Sequence, residues 1–168
     1  SAESGVDYVP GLSSSVKQKI AVVGSGPIRI GQGIEFDYGC VHAAGAIQDL
    51  GHEAIIINNN PETVSTDFDT SDRLYFDPLT LESVSEILLR EDANGILLQF
   101  GGQTAINLAL PLANELPHLS TMGLELMMEG TSPESIDEAS DRERFEEFAL
   151  RCGLRMPDGA TATTPEGV

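Results

Sequence analysis

The chain has 168 residues, room for one ordinary domain and a piece of a second, and its 40% hydrophobic share supports a packed core. With 27 acids against 9 bases its net charge is −18, which repels nucleic acid and anionic membranes and makes both poor candidate partners. No run approaches the ~20 apolar residues that span a bilayer, residues 1–18 lack a signal-peptide profile, and Cys40 and Cys152 follow no metal or disulfide pattern, so a reduced cytoplasmic setting is expected.

Residues 1–18 are polar and broken by Gly5, Pro10 and Gly11, the composition of a linker or tail. Lys19–Val23 is an apolar, β-branched run and predicts a buried strand, followed by the glycine loop GSGPIRIGQG. Apolar residues at Cys40, Val41, Ala44, Ile47 and Leu50 predict a helix over Phe36–Leu50 that Gly51 ends. Ala54–Ile57 is a second buried strand, closing on Asn58-Asn59-Asn60-Pro61, and Arg73–Phe76 a short third. Thr80 caps a helix through about Glu91, and Gly95–Phe100 is a further strand ended by Gly101-Gly102. A helix over Ala105–Leu116 and a weak strand at Leu124–Met128 follow. Ser132-Pro133-Glu134 and Asp141 then open two final helices.

Unbroken apolar strands alternating with helices predict an α/β fold: an open, doubly wound, mainly parallel sheet covered on both faces. Ligands gather beyond the carboxyl ends of such strands. Those ends carry Gly24–Gly33, Asn58–Thr66 and Gly101–Thr104, the least ordinary segments of the sequence.

A dinucleotide fingerprint is the obvious reading of the first segment, and it fails. Arg29 stands where the third glycine should be, Pro27 brings no N–H to the pyrophosphate, and the next strand ends in three asparagines instead of an acid. His42, His52 and His118 have no ligand-like spacing, so no metal site is expected. The runs Glu134–Glu138 and Asp141–Glu147 are most simply solvated helix faces.

Two segments are more specific. GPIRIGQGIEFDY (26–38) and NNPETVSTDFDTSDRLYF (59–76) closely resemble the carbamoyl phosphate synthetase large chain, and GGQT (101–104) and GTSPESIDEASDRERF (130–145) continue the match in order. The resemblance covers about residues 18–165. Residues 1–17 do not share it, Leu116–Met128 is longer than the corresponding turn, and Glu129 stands where an apolar strand residue is usual.

The resemblance implies a duplicated parent chain in which each half opens with a Rossmann-like domain before an ATP-grasp module. One half makes carbamate through carboxy phosphate, the other phosphorylates carbamate, and the wording here is similar to the second. It implies a Rossmann-like domain over 19–139, with 140–168 the start of the ATP-grasp module, cut off within it. It implies ATP and Mg as cofactors, the other domains of the large chain and a glutamine amidotransferase small subunit as partners, and pyrimidine and arginine biosynthesis as settings. It further implies that Gly33, Glu35 and Glu62 border a tunnel delivering carbamate, and that Arg142 contacts ATP phosphate. By the residues alone, Glu35 reads as a first-turn acid stabilised by the helix dipole, and Arg29 and Arg142 read as surface cations. No catalytic residue is expected within this stretch, and the isolated chain is expected to fold but to be inactive. A related ATP-dependent carboxylase and a stand-alone, non-catalytic binding module are the alternatives. The NPETVSTD and GGQT wording speaks against the first.

Overall fold

The computed structural model describes residues 16–27 and 35–153, without the side chains of Arg142 and Glu143. The tail before Val16, Arg29, Gly33 and everything beyond Gly153 therefore lie outside the described residues. Five strands, β1 (Lys19–Val23), β2 (Glu53–Ile57), β3 (Arg73–Tyr75), β4 (Gly95–Leu97) and β5 (Met127–Met128), form one sheet. Its order is β3-β2-β1-β4-β5, and every pairing is parallel. The α/β, doubly wound fold follows from the sequence as expected.

The register explains why each strand reads as a continuous apolar run. Val22 lies between Ile56 and Leu97, and Ala21 between Ile55 and Ile96. Ala21, Val23, Ile55, Ile57 and Ile96 point to the face covered by α2 (Leu81–Glu91) and α4 (Ala109–Thr121), meeting Val84, Leu88, Leu112 and Leu119. Ile20, Val22, Ala54 and Ile56 point to the opposite face, against Cys40, Ala43, Ala44 and Ile47 of α1 (Glu35–Asp49). Both directions of the pleat are dry, so neither can be polar, and each large aliphatic side chain contributes about 1.5–3 kcal/mol.

Helix ends follow local chemistry. His52 N–H donates to the Ile47 carbonyl at 3.1 Å and Gly51 N–H to Gln48 at 2.9 Å, a Schellman closure of α1. The hydroxyls of Thr80 and Ser132 and the carboxylate of Asp141 accept from Ser83, Ser135 and Arg144 N–H, capping α2, α5 (Pro133–Ser140) and α6 (Arg142–Arg151).

Three predicted spans change. The helix expected over Ala105–Leu116 is two helices, α3 (Gly102–Ile106) and α4, and the second runs through Pro117 to Thr121. Pro117 is exposed and Leu119 is buried, so the last turn is held by packing despite the lost N–H. The strand expected over Gly95–Phe100 ends at Leu97, because the chain turns toward β1, with Gly101 N–H reaching the Leu98 carbonyl. Of Leu124–Met128, two residues pair.

At the amino edge of the sheet Glu91, 4% exposed, gathers three elements. It accepts from the Tyr75 hydroxyl and from Arg73 Nη1 at 3.2 Å, and Lys19 Nζ lies 3.6 Å from its other oxygen. Burial pushes its carboxyl up, but the Tyr75 hydrogen bond and the Arg73 and Lys19 charges outweigh burial and hold it below the usual range. This edge is structural. The expected site lies at the other.

Candidate functional site

The strand order reverses between β1 and β4, so the crevice beyond their carboxyl ends is the switch point of the fold. What fills it decides what it can bind. The side chain of Asn58, 1% exposed, stands at the end of β2 and turns toward the first glycines after β1. Its Oδ1 accepts from Gly26 N–H at 3.0 Å and, at a longer 3.4 Å, from Asn60 N–H. Its Nδ2 donates to Ser65 Oγ at 3.3 Å. A Cβ at Gly24 would lie 2.5 Å from Asn58 Cγ, so the glycine is required by the amide and not by a ligand. The place where a dinucleotide-binding fold holds its ribose-binding acid is occupied by a side chain that satisfies the protein's own backbone.

From Asn58 the network runs on into the next loop. A 3₁₀ turn at Val64–Thr66 seats its backbone on α1: Ser65 N–H donates to both oxygens of Asp37, at 3.1 and 3.2 Å. Asp37 is 4% exposed and lies in the first turn of α1, two residues after Glu35. Asn60 Oδ1 accepts from Glu62 N–H at 3.0 Å. The loop bearing Glu62 is thus held against the helix turn bearing Glu35. Both acids are exposed, and Glu35 lines a groove of about 510 Å³ with Asp37, Tyr38, Val41 and Val64.

GGQT closes the crevice from the β4 side. A Cβ at Gly101 would lie 2.3 Å from the Val23 carbonyl oxygen and 2.5 Å from that of Gly24. Nothing larger than hydrogen fits there. Behind the loop Cys40 is fully buried, its Sγ directed at the Val23 carbonyl, and burial, helped by the nearby Asp37 charge, pushes its thiol up to about 12. It is inert packing, not a nucleophile.

Of the residues singled out by sequence, Glu35 and Glu62 come to the same edge, Gly33 lies outside the described residues, and Arg142 is described in backbone alone, as the first residue of α6. Arg144, by contrast, pairs with Asp137 across α5 and α6. Sequence reasoning missed the roles of Asn58, Asp37 and Ser65. The run of three asparagines was the signal, but its meaning lay in a partner 32 residues away.

The carbamoyl phosphate synthase preATP-grasp domain family matches residues 16–138. The carbamoyl phosphate synthase large chain of Methanothrix thermoacetophila is 54% identical over 155 residues, which is 92% of this chain and 14% of that protein. The carbamoyl phosphate synthase large chain, C-terminal section, of Aquifex aeolicus is 51% identical over 151 residues, 90% of this chain and 26% of that protein. The chain therefore spans a small part of the curated relatives it matches. Among solved structures, the biotin carboxylase domain of a single-chain bacterial carboxylase superposes with a TM-score of 0.61 at 16% identity, covering 90% of this chain and 32% of that one. N5-carboxyaminoimidazole ribonucleotide synthetase from Thermotoga maritima superposes with a TM-score of 0.51 at 17% identity, covering 89% of this chain and 34% of that one. At such identities these likenesses show the fold alone.

Proposed function

The chain belongs to the carbamoyl phosphate synthase pre-ATP-grasp domain family, and from that premise we propose that it serves the half of a large chain that phosphorylates carbamate. The observation that carries this is the 51% identity to a protein consisting of a C-terminal section of the large chain. The wording RIGQGIEF with PETVSTD supports the same half.

In this reading residues 19–139 are the Rossmann-like domain and residues 140–168 open the ATP-grasp module. MgATP is clamped by that module. Among the described residues no group of three or more His, Cys, Asp or Glu stands where it could hold a metal ion. The parent enzyme makes carbamoyl phosphate from bicarbonate, ammonia drawn from glutamine by an amidotransferase subunit, and two MgATP, in the cytoplasm, for arginine or pyrimidine synthesis. Among the described residues no helix is long and apolar enough to cross a membrane.

The Rossmann-like domain's part is to form one wall of the carbamate route, and the segment after it lends a cation to the nucleotide. In the same reading Gly33, Glu35 and Glu62 border the passage. Carbamate is an anion, so carboxylates along its path offer it no charge-paired resting place, and it passes onward instead of lodging. The same reading gives Arg142, the first residue of α6, the role of contacting ATP phosphate, for which a guanidinium is suited.

The two halves are separable by assay, which tests the assignment. In the intact enzyme Arg142→Ala weakens carbamate phosphorylation, read in reverse as ATP formed from ADP and carbamoyl phosphate, at least about tenfold, or ~1.4 kcal/mol. Bicarbonate-dependent ATP hydrolysis persists, and Arg144→Ala does much less. Loss of bicarbonate-dependent hydrolysis in Arg142→Ala, with the reverse reaction intact, would move the chain to the other half.

A further inference from the structure

We propose that Asn58 is a positioning residue that holds Gly26, just beyond β1, and the Glu62 loop at one fixed separation, so that Glu35 and Glu62 border the same passage. The inference rests on the carbamate-route reading above and adds the device that keeps the route open.

The hydrogen bonds form a continuous chain. Gly26, beyond β1, donates to Asn58, beyond β2. Asn58 donates to Ser65, whose N–H is held by both oxygens of Asp37. Asp37 ends the chain in the turn of α1 that begins at Glu35. A branch through Asn60 fixes the Glu62 backbone. Asn58, Asp37 and Ser65 are all at least nine-tenths buried. Each member answers another's hydrogen-bonding need, so none is free to turn toward a ligand.

Asparagine is suited to the post because one amide offers both an acceptor and a donor. Its acceptor takes two N–H groups, one from each loop, while its donor reaches the 3₁₀ turn. A leucine of similar bulk would fill the space but leave the Gly26 and Asn60 N–H groups without that acceptor. The loops would then settle at a different separation. Aspartate keeps the acceptor, and the Ser65 hydroxyl can rotate to donate in its turn.

The test uses the intact enzyme, reading ADP released in bicarbonate-dependent turnover per carbamoyl phosphate formed. A purely structural role lowers both activities together and leaves that ratio unchanged. The positioning role predicts that Asn58→Leu raises the ratio about fivefold or more, and that Asn58→Asp restores it to within about twofold of the unsubstituted enzyme. An unchanged ratio in Asn58→Leu overturns the proposal. If Gly33→Phe raises the ratio in the same assay, that failure is confined to Asn58. If it does not, the route reading falls as well. Should Asn58→Leu not fold, amide exchange in the unsubstituted enzyme decides: the Gly26 N–H exchanges about a hundredfold or more slower than an open loop amide, and exchange at the open-loop rate overturns the proposal.

Discussion

Replacing Gly101 by alanine adds one methyl group where the sheet leaves no room. The new carbon would stand 2.3 Å from the Val23 carbonyl oxygen, 2.5 Å from that of Gly24 and 2.5 Å from Ala105 Cβ. Ordinary contacts between non-bonded heavy atoms lie at about 3.5–4.0 Å, so the GGQT turn must retreat from β1 by about 1 Å. Two of the three obstacles are backbone oxygens at the end of the central strand, and they cannot rotate aside. The cost belongs at the upper end of the overpacking range, about 3 kcal/mol. At about 2–4 °C per kcal/mol for a chain of this size, the midpoint of thermal unfolding falls by about 6–12 °C. Gly45 supplies the control, since a Cβ there meets nothing within 4 Å and lies in the middle of α1. Gly45→Ala stabilises by about 0.5–1 kcal/mol through helix propensity. Urea unfolding followed by circular dichroism measures both. Equal stability of Gly101→Ala and the unsubstituted chain, or shifts of the same sign for both variants, would refute the close-approach argument.

Three further outcomes are expected. Glu91 is held below its ordinary 4.5 because Tyr75, Arg73 and Lys19 outweigh burial, and Asp72 below its ordinary 3.8, chiefly by the Ala54 N–H. A depressed folded pKa contributes stability above the unfolded pKa, so urea midpoints hold steady down to about pH 5 and drop as pH falls further, less steeply in Glu91→Gln. Iodoacetamide at neutral pH labels the exposed Cys152 and spares Cys40, whose thiol is buried and pushed up to about 12, until urea opens the core; counting adducts by mass spectrometry checks it. The isolated chain shows no magnesium-dependent ATP hydrolysis above a blank preparation, because catalysis by positioning needs both walls of the cleft.

How much was legible in the sequence depended on how local each cause is. The first two strands and α2 follow from runs and caps within a few residues, and Thr80, Ser132 and Asp141 cap as their neighbours suggest. The break between α3 and α4 carries no glycine or proline. It comes from a tightened turn in which Leu108 N–H reaches Ala105, while Gln103 donates to the Asn107 side chain. Nothing in the apolar spacing marks it. The convergence of Glu35 and Glu62 on one edge followed from strand order, whereas the means did not. Asn58 meets Gly26 across 32 residues, and Ser65 meets Asp37 across 28, contacts that no periodicity encodes. The same distance hid Glu91, whose partners Lys19 and Tyr75 come from two different strands.

A size series at Gly33 asks whether this domain walls the proposed carbamate route serving the second phosphorylation. In the intact enzyme, Gly33→Ala, Gly33→Leu and Gly33→Phe are compared for carbamoyl phosphate formed and for bicarbonate-dependent ATP hydrolysed. With Gly33 bordering the route, carbamoyl phosphate formation falls in step with side-chain volume, by about tenfold or more for phenylalanine, while bicarbonate-dependent hydrolysis stays within about twofold. Parallel loss of both activities, or indifference to side-chain size, would contradict it.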